Sequence, residues 1–199
     1  MPPPEQGFRH LADEVRLEGW GISFVRGEFE APDHSHFTRD VVRHPGAVAV
    51  VPVTGHDTVL LVRQYRGPVD TELLEIPAGT RDVVGEPPET TARRELEEEV
   101  GVRAGTIRLV GTMLNSPGFC DQKTLLYLAR DLEPVAPSRH GEEERYIEVV
   151  EVALAEIDSM VASGALVDAQ TLLGLLLARQ ALVVERAASS PTTPPPSTT

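Results

Sequence analysis

Three glutamates, Glu95, Glu98 and Glu99, stand at positions i, i+3 and i+4 of the dense acidic run over residues 86–99. On a helix those offsets bring all three carboxylates onto one face. Carboxylates crowded this way repel one another unless a counter-charge is supplied. A divalent cation supplies it, and hard oxygen donors suit Mg²⁺ or Mn²⁺. The competing reading of any acidic run is a solvated helix face, and it is the spacing that favours a site. A second acidic group, Glu142, Glu143 and Glu144, stands in the polar stretch His140-Gly141-Glu142-Glu143-Glu144-Arg145. There the spacing is uninformative, because three adjacent residues in a loop have no fixed common direction.

The element that must hold the triad is a helix over residues 88–100. Pro87 or Pro88 can open it, since the first helical N–H has no partner to lose. Gly101 can close it in a left-handed conformation. Ala92, Leu96 and Val100 form an apolar stripe beside the triad that would fix the helix to a sheet.

Strands are expected at 47–53 and 58–66, joined by a hairpin-like Gly55-His56-Asp57, and at 72–76, 106–114, 123–129 and 146–154. Further helices are expected at 155–163 and 168–186, the last opened by Asp168 as N-cap. Strands grouped with helices on their faces point to an α/β (α+β) sandwich rather than a doubly wound sheet. Residues 1–45 hold two short strand candidates, 21–25 and 37–42, a piece too small for its own core, which needs the main domain or a partner subunit to cover it. The main domain spans 46–186, and the Pro/Ser/Thr-rich tail 187–199 reads as disordered.

The 199 residues are 41% hydrophobic and 25% charged, as in ordinary globular proteins. The net charge of −13, from 31 acidic against 18 basic residues, argues against nucleic-acid and anionic-membrane binding. It does not argue against a phosphate-bearing substrate, since bound cations can bridge carboxylates to phosphates. No apolar run is long enough to cross a bilayer, and the N-terminus lacks the features of a secretory signal. With Cys120 as the one cysteine, a reducing cytoplasmic compartment fits. No histidine-based dyad accompanies Cys120, which reads as a small loop side chain. His34 and His36 read as surface residues. Trp20, the only tryptophan, is expected to pack within the N-terminal piece.

The segment from Gly79 to Val102 resembles the Nudix signature: a glycine, five residues, Glu, seven residues, then Arg-Glu-aliphatic-x-Glu-Glu-x-Gly-aliphatic. Every fixed position matches from Glu86 through Arg94, Glu95, Leu96, Glu98, Glu99 and Gly101 to Val102. The one departure is that six residues, not five, separate Gly79 from Glu86. The resemblance implies a Nudix-type α/β/α sandwich with a mixed sheet, beside which the N-terminal piece forms a small antiparallel β segment. It also implies that Glu95, Glu98, Glu99 and the backbone carbonyl of Ala78 bind two or three Mg²⁺ ions. Arg94 would orient a neighbouring glutamate, Gly79 and Gly101 would shape the backbone, and Glu86 would support the site from behind. Glu97 falls at the variable position and reads as solvent-facing.

Three segments outside the box are similar to the ADP-ribose pyrophosphatase subfamily: Leu74-Glu75-Ile76-Pro77-Ala78-Gly79, Val62-Arg63-Gln64-Tyr65-Arg66, and Ser116-Pro117-Gly118, whose proline lies sixteen residues beyond Gly101. That resemblance implies hydrolysis of ADP-ribose to AMP and ribose 5-phosphate. The general base would come from the acidic loop, with Glu143 preferred over Glu142 and Glu144. Pro117, Gly118 and Asp121 are candidate substrate contacts. Arg63 and Arg66, read as alternate residues leaving a strand, could both face the phosphates. Two alternatives stay open: another nucleotide sugar, such as a GDP- or ADP-hexose, and a non-catalytic ADP-ribose-binding regulator. A homodimer is expected, because the N-terminal β segment needs a surface to cover it.

Overall fold

The computed structural model describes residues 7–137 and 144–189. Glu142, Glu143 and the tail from residue 190 lie outside the described residues. Strands β1 (Arg9–Glu18), β2 (Ser23–Glu30) and β3 (His36–Arg43) form an N-terminal antiparallel sheet. The main domain opens with β4 (Ala47–Pro52), β5 (Thr58–Arg66), β6 (Thr71–Glu75) and β7 (Ala78–Thr80). Helix α1 (Pro88–Glu95), β8 (Val102–Leu114), β9 (Lys123–Pro134), β10 (Glu148–Ala153), α2 (Ile157–Ala162) and α3 (Ala169–Ser189) follow.

Two sheets build the main domain. One has the order β7-β4-β9-β8, with β4 and β9 parallel and the other pairs antiparallel; the other is the antiparallel β10-β5-β6. The run Ala47-Val-Ala-Val-Val-Pro52 is buried throughout, as a strand covered on both faces must be. Its alternation serves two cores. Val48 and Val50 pack with Val62, Ala92, Leu96, Val100 and Tyr127 beneath α1. Ala49 and Val51 pack with Leu61, Ile76, Leu126, Leu175 and Ala178 beneath α3. This is the expected α/β sandwich with mixed sheet and small N-terminal antiparallel sheet. Among the described residues, no helix is long and apolar enough to cross a membrane.

The departures have local causes. β1 was not expected, because its sequence breaks the period-two pattern: the register with β2 skips at Leu11 and at Arg16, and each skip turns the following side chains to the other face. β8 starts at Val102, directly after the helix, rather than at residue 106. α3 continues through Ser189, so residues 187–189 are helical rather than part of a disordered tail. Trp20 is not packed in the N-terminal piece: it stands 95% exposed in the turn between β1 and β2.

Candidate active site

The triad helix does not stay α-helical. After Glu95 the chain passes into a wide π turn, Leu96–Val100, a form found mostly as single turns and often at functional sites. Gly101 ends it at φ 73°, its N–H bonded to the Leu96 carbonyl. The expected i, i+3, i+4 convergence assumed 3.6 residues per turn, and the wider turn re-aims the side chains. Glu95 and Glu99 are buried at 8% and 6% exposure, and Glu98 lies nearer the surface.

What faces the helix is the short strand β7. It is fixed on β4 by the pairs Ala78 with Ala49, Gly79 with Val48 and Thr80 with Ala47. The Val50 amide donates to the Pro77 carbonyl at 2.9 Å. The Ile76 amide donates to Thr171 Oγ1 of α3 at 3.0 Å, and Asp168 accepts from both the amide and the hydroxyl of Thr171. The strand is then joined to the helix from its other side, where the Ala78 amide donates to Glu99 Oε2 at 3.1 Å. Beside it, Gly79 lies so close to Glu95 that an added Cβ would fall inside the Glu95 carboxyl.

Arg94 is the hub of the acidic cluster. Its Nη1 lies 3.0 Å from Glu95 Oε1 and 3.1 Å from Glu98 Oε2, and its Nη2 lies 3.6 Å from both Asp82 and Glu86. Arg94 Nε and Nη2 are buried without a hydrogen-bond partner. Burial pulls the guanidinium pKa down, but the charges of Glu95, Glu98, Glu86 and Asp82 outweigh it and hold the value above the ordinary one. Glu86 accepts the Thr91 hydroxyl at 2.7 Å, which pins it at the start of α1. Glu97 points away and pairs with Arg103 at 2.8 Å.

Among the described residues, no three Asp, Glu, His or Cys side chains stand ready to hold a cation. Glu95 and Glu98 are drawn to Arg94, and Glu99 to the Ala78 amide. The chemistry of the donors nevertheless fits a hard divalent ion. They are carboxylate oxygens, two of the side chains are largely buried, and the glycine beside Glu95 leaves the room that a side chain would fill.

The residues outside the box separate into those near this cluster and those apart from it. Arg63 and Arg66 are three positions apart, so the period of two sends them to opposite faces of β5, and the expectation that both face the phosphates is corrected. Arg63 pairs with Glu148 of β10 at 3.3 Å. Arg66 lies on the α1 side, where Glu75 Oε2 accepts its Nη2 at 2.5 Å. Its pKa is raised chiefly by that bond, against burial, with Glu99 and Asp168 adding to the effect. Glu75, only 3% exposed and also bonded to Gln64, was missed as a site residue. The cross-strand register that puts Glu75 on the face of Gln64 and Arg66 is invisible in either strand alone.

Pro117 and Gly118 lie in the loop between β8 and β9. Asp121, in the same loop, has both carboxylate oxygens engaged, by the His44 amide at 2.8 Å and by Arg43 at 3.1 Å. Glu144 opens a short 3₁₀ turn, Glu144–Tyr146. A cavity of about 340 Å³ adjoins the strand that carries Gly79, lined by Trp20, Ile22, His44, Thr80 and Asp82. Another, of about 490 Å³, lies at the far end of β4 beside His56, Arg179 and Arg186, away from the carboxylates. The chemistry argues for the first.

The model of the NUDIX domain matches residues 43–173. The chain belongs to the Nudix family. It is 37% identical over 161 residues to an ADP-ribose pyrophosphatase of Bacillus subtilis (strain 168), covering 81% of this chain and 86% of that protein. It is 35% identical over 172 residues to an ADP-ribose pyrophosphatase of Mycobacterium tuberculosis (strain ATCC 25618 / H37Rv), covering 86% and 83%. A crystal structure described as an ADP compounds hydrolase superposes with a TM-score of 0.77 at 23% identity, covering 90% of this chain and 96% of the other. That likeness establishes the shared fold.

The extra residue in this Nudix box falls where it disturbs least. Gly79 is held by β4 and Glu86 by Thr91, and the chain between them bulges outward, with Val83 and Val84 exposed. The Glu86 amide closes that turn on the Val83 carbonyl at 3.1 Å. Both ends of the loop therefore keep their places against the Nudix helix.

Proposed function

We propose that this Nudix protein hydrolyses the diphosphate of ADP-ribose to AMP and ribose 5-phosphate. The observation that carries the reading is the acidic cluster of Glu95, Glu98 and Glu99, closed against Ala78 and Gly79 and centred on Arg94. The names of the Bacillus and Mycobacterium relatives support the choice of substrate. Glu95, Glu98, Glu99 and the Ala78 carbonyl would hold the ions, Mg²⁺ or Mn²⁺, two or three in number. Bound there, such ions offset charge on the diphosphate and make water a better nucleophile.

The remaining work falls to the chain itself. Arg94 keeps the glutamates apart and oriented. Arg66, gripped by Glu75 along its Nε and Nη2 edge, offers its remaining amino group to a phosphate oxygen. Pro117 and Gly118 border the substrate. The base is a carboxylate of the 142–144 run, Glu143 by preference, taking the proton of the attacking water.

The test is product identification across nucleoside diphosphate derivatives with Mg²⁺. AMP and ribose 5-phosphate from ADP-ribose, abolished by a chelator, are the expected outcome. A preference for a GDP- or ADP-hexose would replace the substrate, and no turnover of any diphosphate would overturn the reading.

The protein is proposed to act as a homodimer in the cytoplasm. All ten residues of β1 are exposed, among them Leu11, Val15 and Leu17, with Phe8 beside them, and strands left in this state invite pairing or cover. Sedimentation at micromolar concentration is expected to give twice the chain mass, and a monomer would overturn the proposal.

A further inference from the structure

Asp121 is where the N-terminal sheet, the loop between β8 and β9, and the start of β4 meet. Its Oδ1 accepts the His44 amide at 2.8 Å, and its Oδ2 accepts Arg43 Nη1 at 3.1 Å. The same guanidinium donates to both oxygens of Asp13 on β1, at 2.9 Å each. One arginine therefore spans β1 and the loop. The backbone follows the same path: the Val42 amide donates to the Phe119 carbonyl at 2.8 Å, and the Asp121 amide to the Val42 carbonyl at 3.2 Å. The loop is wound tightly on itself, with the amides of Phe119 and Cys120 both bonded to the Ser116 carbonyl. Pro117 and Gly118 are thus carried on a loop whose outer edge is stitched to the end of β3.

A single exposed ion pair contributes little. This arrangement differs in two respects. The side chains of Arg43 and Asp13 are each less than a third exposed and meet through a two-pronged contact. Asp121 also holds a backbone amide, that of His44, and His44 lines the cavity between Trp20 and Asp82. Moving the N-terminal sheet moves His44 and the loop together.

We infer that Asp121 is a positioning residue: through Arg43 and the His44 amide it couples the N-terminal sheet to the Ser116–Gln122 loop, and so sets the shape of the substrate cavity without touching the substrate. The inference rests on the pyrophosphatase reading above. Asp121→Ala is expected to raise KM for ADP-ribose by about five- to tenfold with kcat within about twofold, because the acidic cluster around Arg94 is left intact. Asp121→Asn, which keeps an acceptor for the His44 amide, should fall between the two and serves in place of the alanine variant should that fail to fold. Amide hydrogen exchange supplies a readout independent of turnover. Peptides from the N-terminal sheet and from residues 115–122 should exchange faster together in Asp121→Ala, with those of β4 and α1 unchanged. Unchanged exchange in both segments, or a fall in kcat with KM unaltered, would overturn the coupling. If the wild-type protein hydrolyses no nucleoside diphosphate sugar, the functional reading fails, and the exchange comparison still decides whether the coupling exists.

Discussion

Glu99→Gln is expected to lower kcat about a hundredfold or more while the protein folds normally. Glutamine keeps the volume of the buried side chain, and its Oε1 can still accept the Ala78 amide that Glu99 now accepts at 3.1 Å. The tie between helix and strand survives. What is lost is one negative charge from a group that also holds Glu95 and Glu98. The repulsion relieved is offset by the lost attraction to Arg66, so the thermal midpoint without added metal should stay close to that of the wild type. Mg²⁺ should then raise the wild-type midpoint, as any ligand of the native state does, and raise that of the variant much less. Glu97→Gln is the comparison. Its carboxyl is held below the usual range by the bond from Arg103, on the outer side of the helix, and its loss should leave kcat nearly unchanged. Near-normal turnover in Glu99→Gln would remove the triad from the chemistry.

The sandwich was legible in the sequence because burial imposes period. The all-apolar β4, the apolar run over residues 59–62 near the start of β5 and the Ala92, Leu96, Val100 stripe each state which faces are covered, and the two cores on either side of β4 follow. The acidic helix was legible because its spacing is unusual for a solvated face. Two things were not legible, and a third was legible but misread. The π turn from Leu96 leaves no signature in a run of glutamates, so the three carboxylates were assigned to a regular helical face. Arg63 and Arg66 stand an odd three positions apart, which strand period alone sends to opposite faces. Thr171 at the start of α3 and Asp168 just before it are far from the box in sequence, and only tertiary packing ties Thr171 to the Ile76 amide and Glu75 of β6 to Arg66. Local spacing therefore specifies the carboxylates, and long-range contacts specify how they are held.

Gly79→Ala tests that division, with a large effect on activity and a small one on the fold. The added methyl would enter the space of the Glu95 carboxyl, so one of the two must move. The backbone of Gly79 is fixed by β4, by the Ala78 tie to Glu99 and by the Arg81 amide bonded to the Gly46 carbonyl at 3.0 Å. The end of a glutamate side chain can change rotamer at a cost of about 1 kcal/mol. Glu95 is the part that yields, and the urea midpoint should fall only slightly. Once displaced, its carboxyl leaves Arg94 Nη1 and its place beside Glu98, while Glu99 stays on the Ala78 amide. Misplacing a group by about an ångström can cost on the order of a hundredfold in rate, and kcat should fall by at least tenfold. A variant that folds and turns over as the wild type would show that Glu95 has no required place beside Gly79. A variant that fails to fold would show that the β7 strand, rather than the carboxyl, is what the glycine protects.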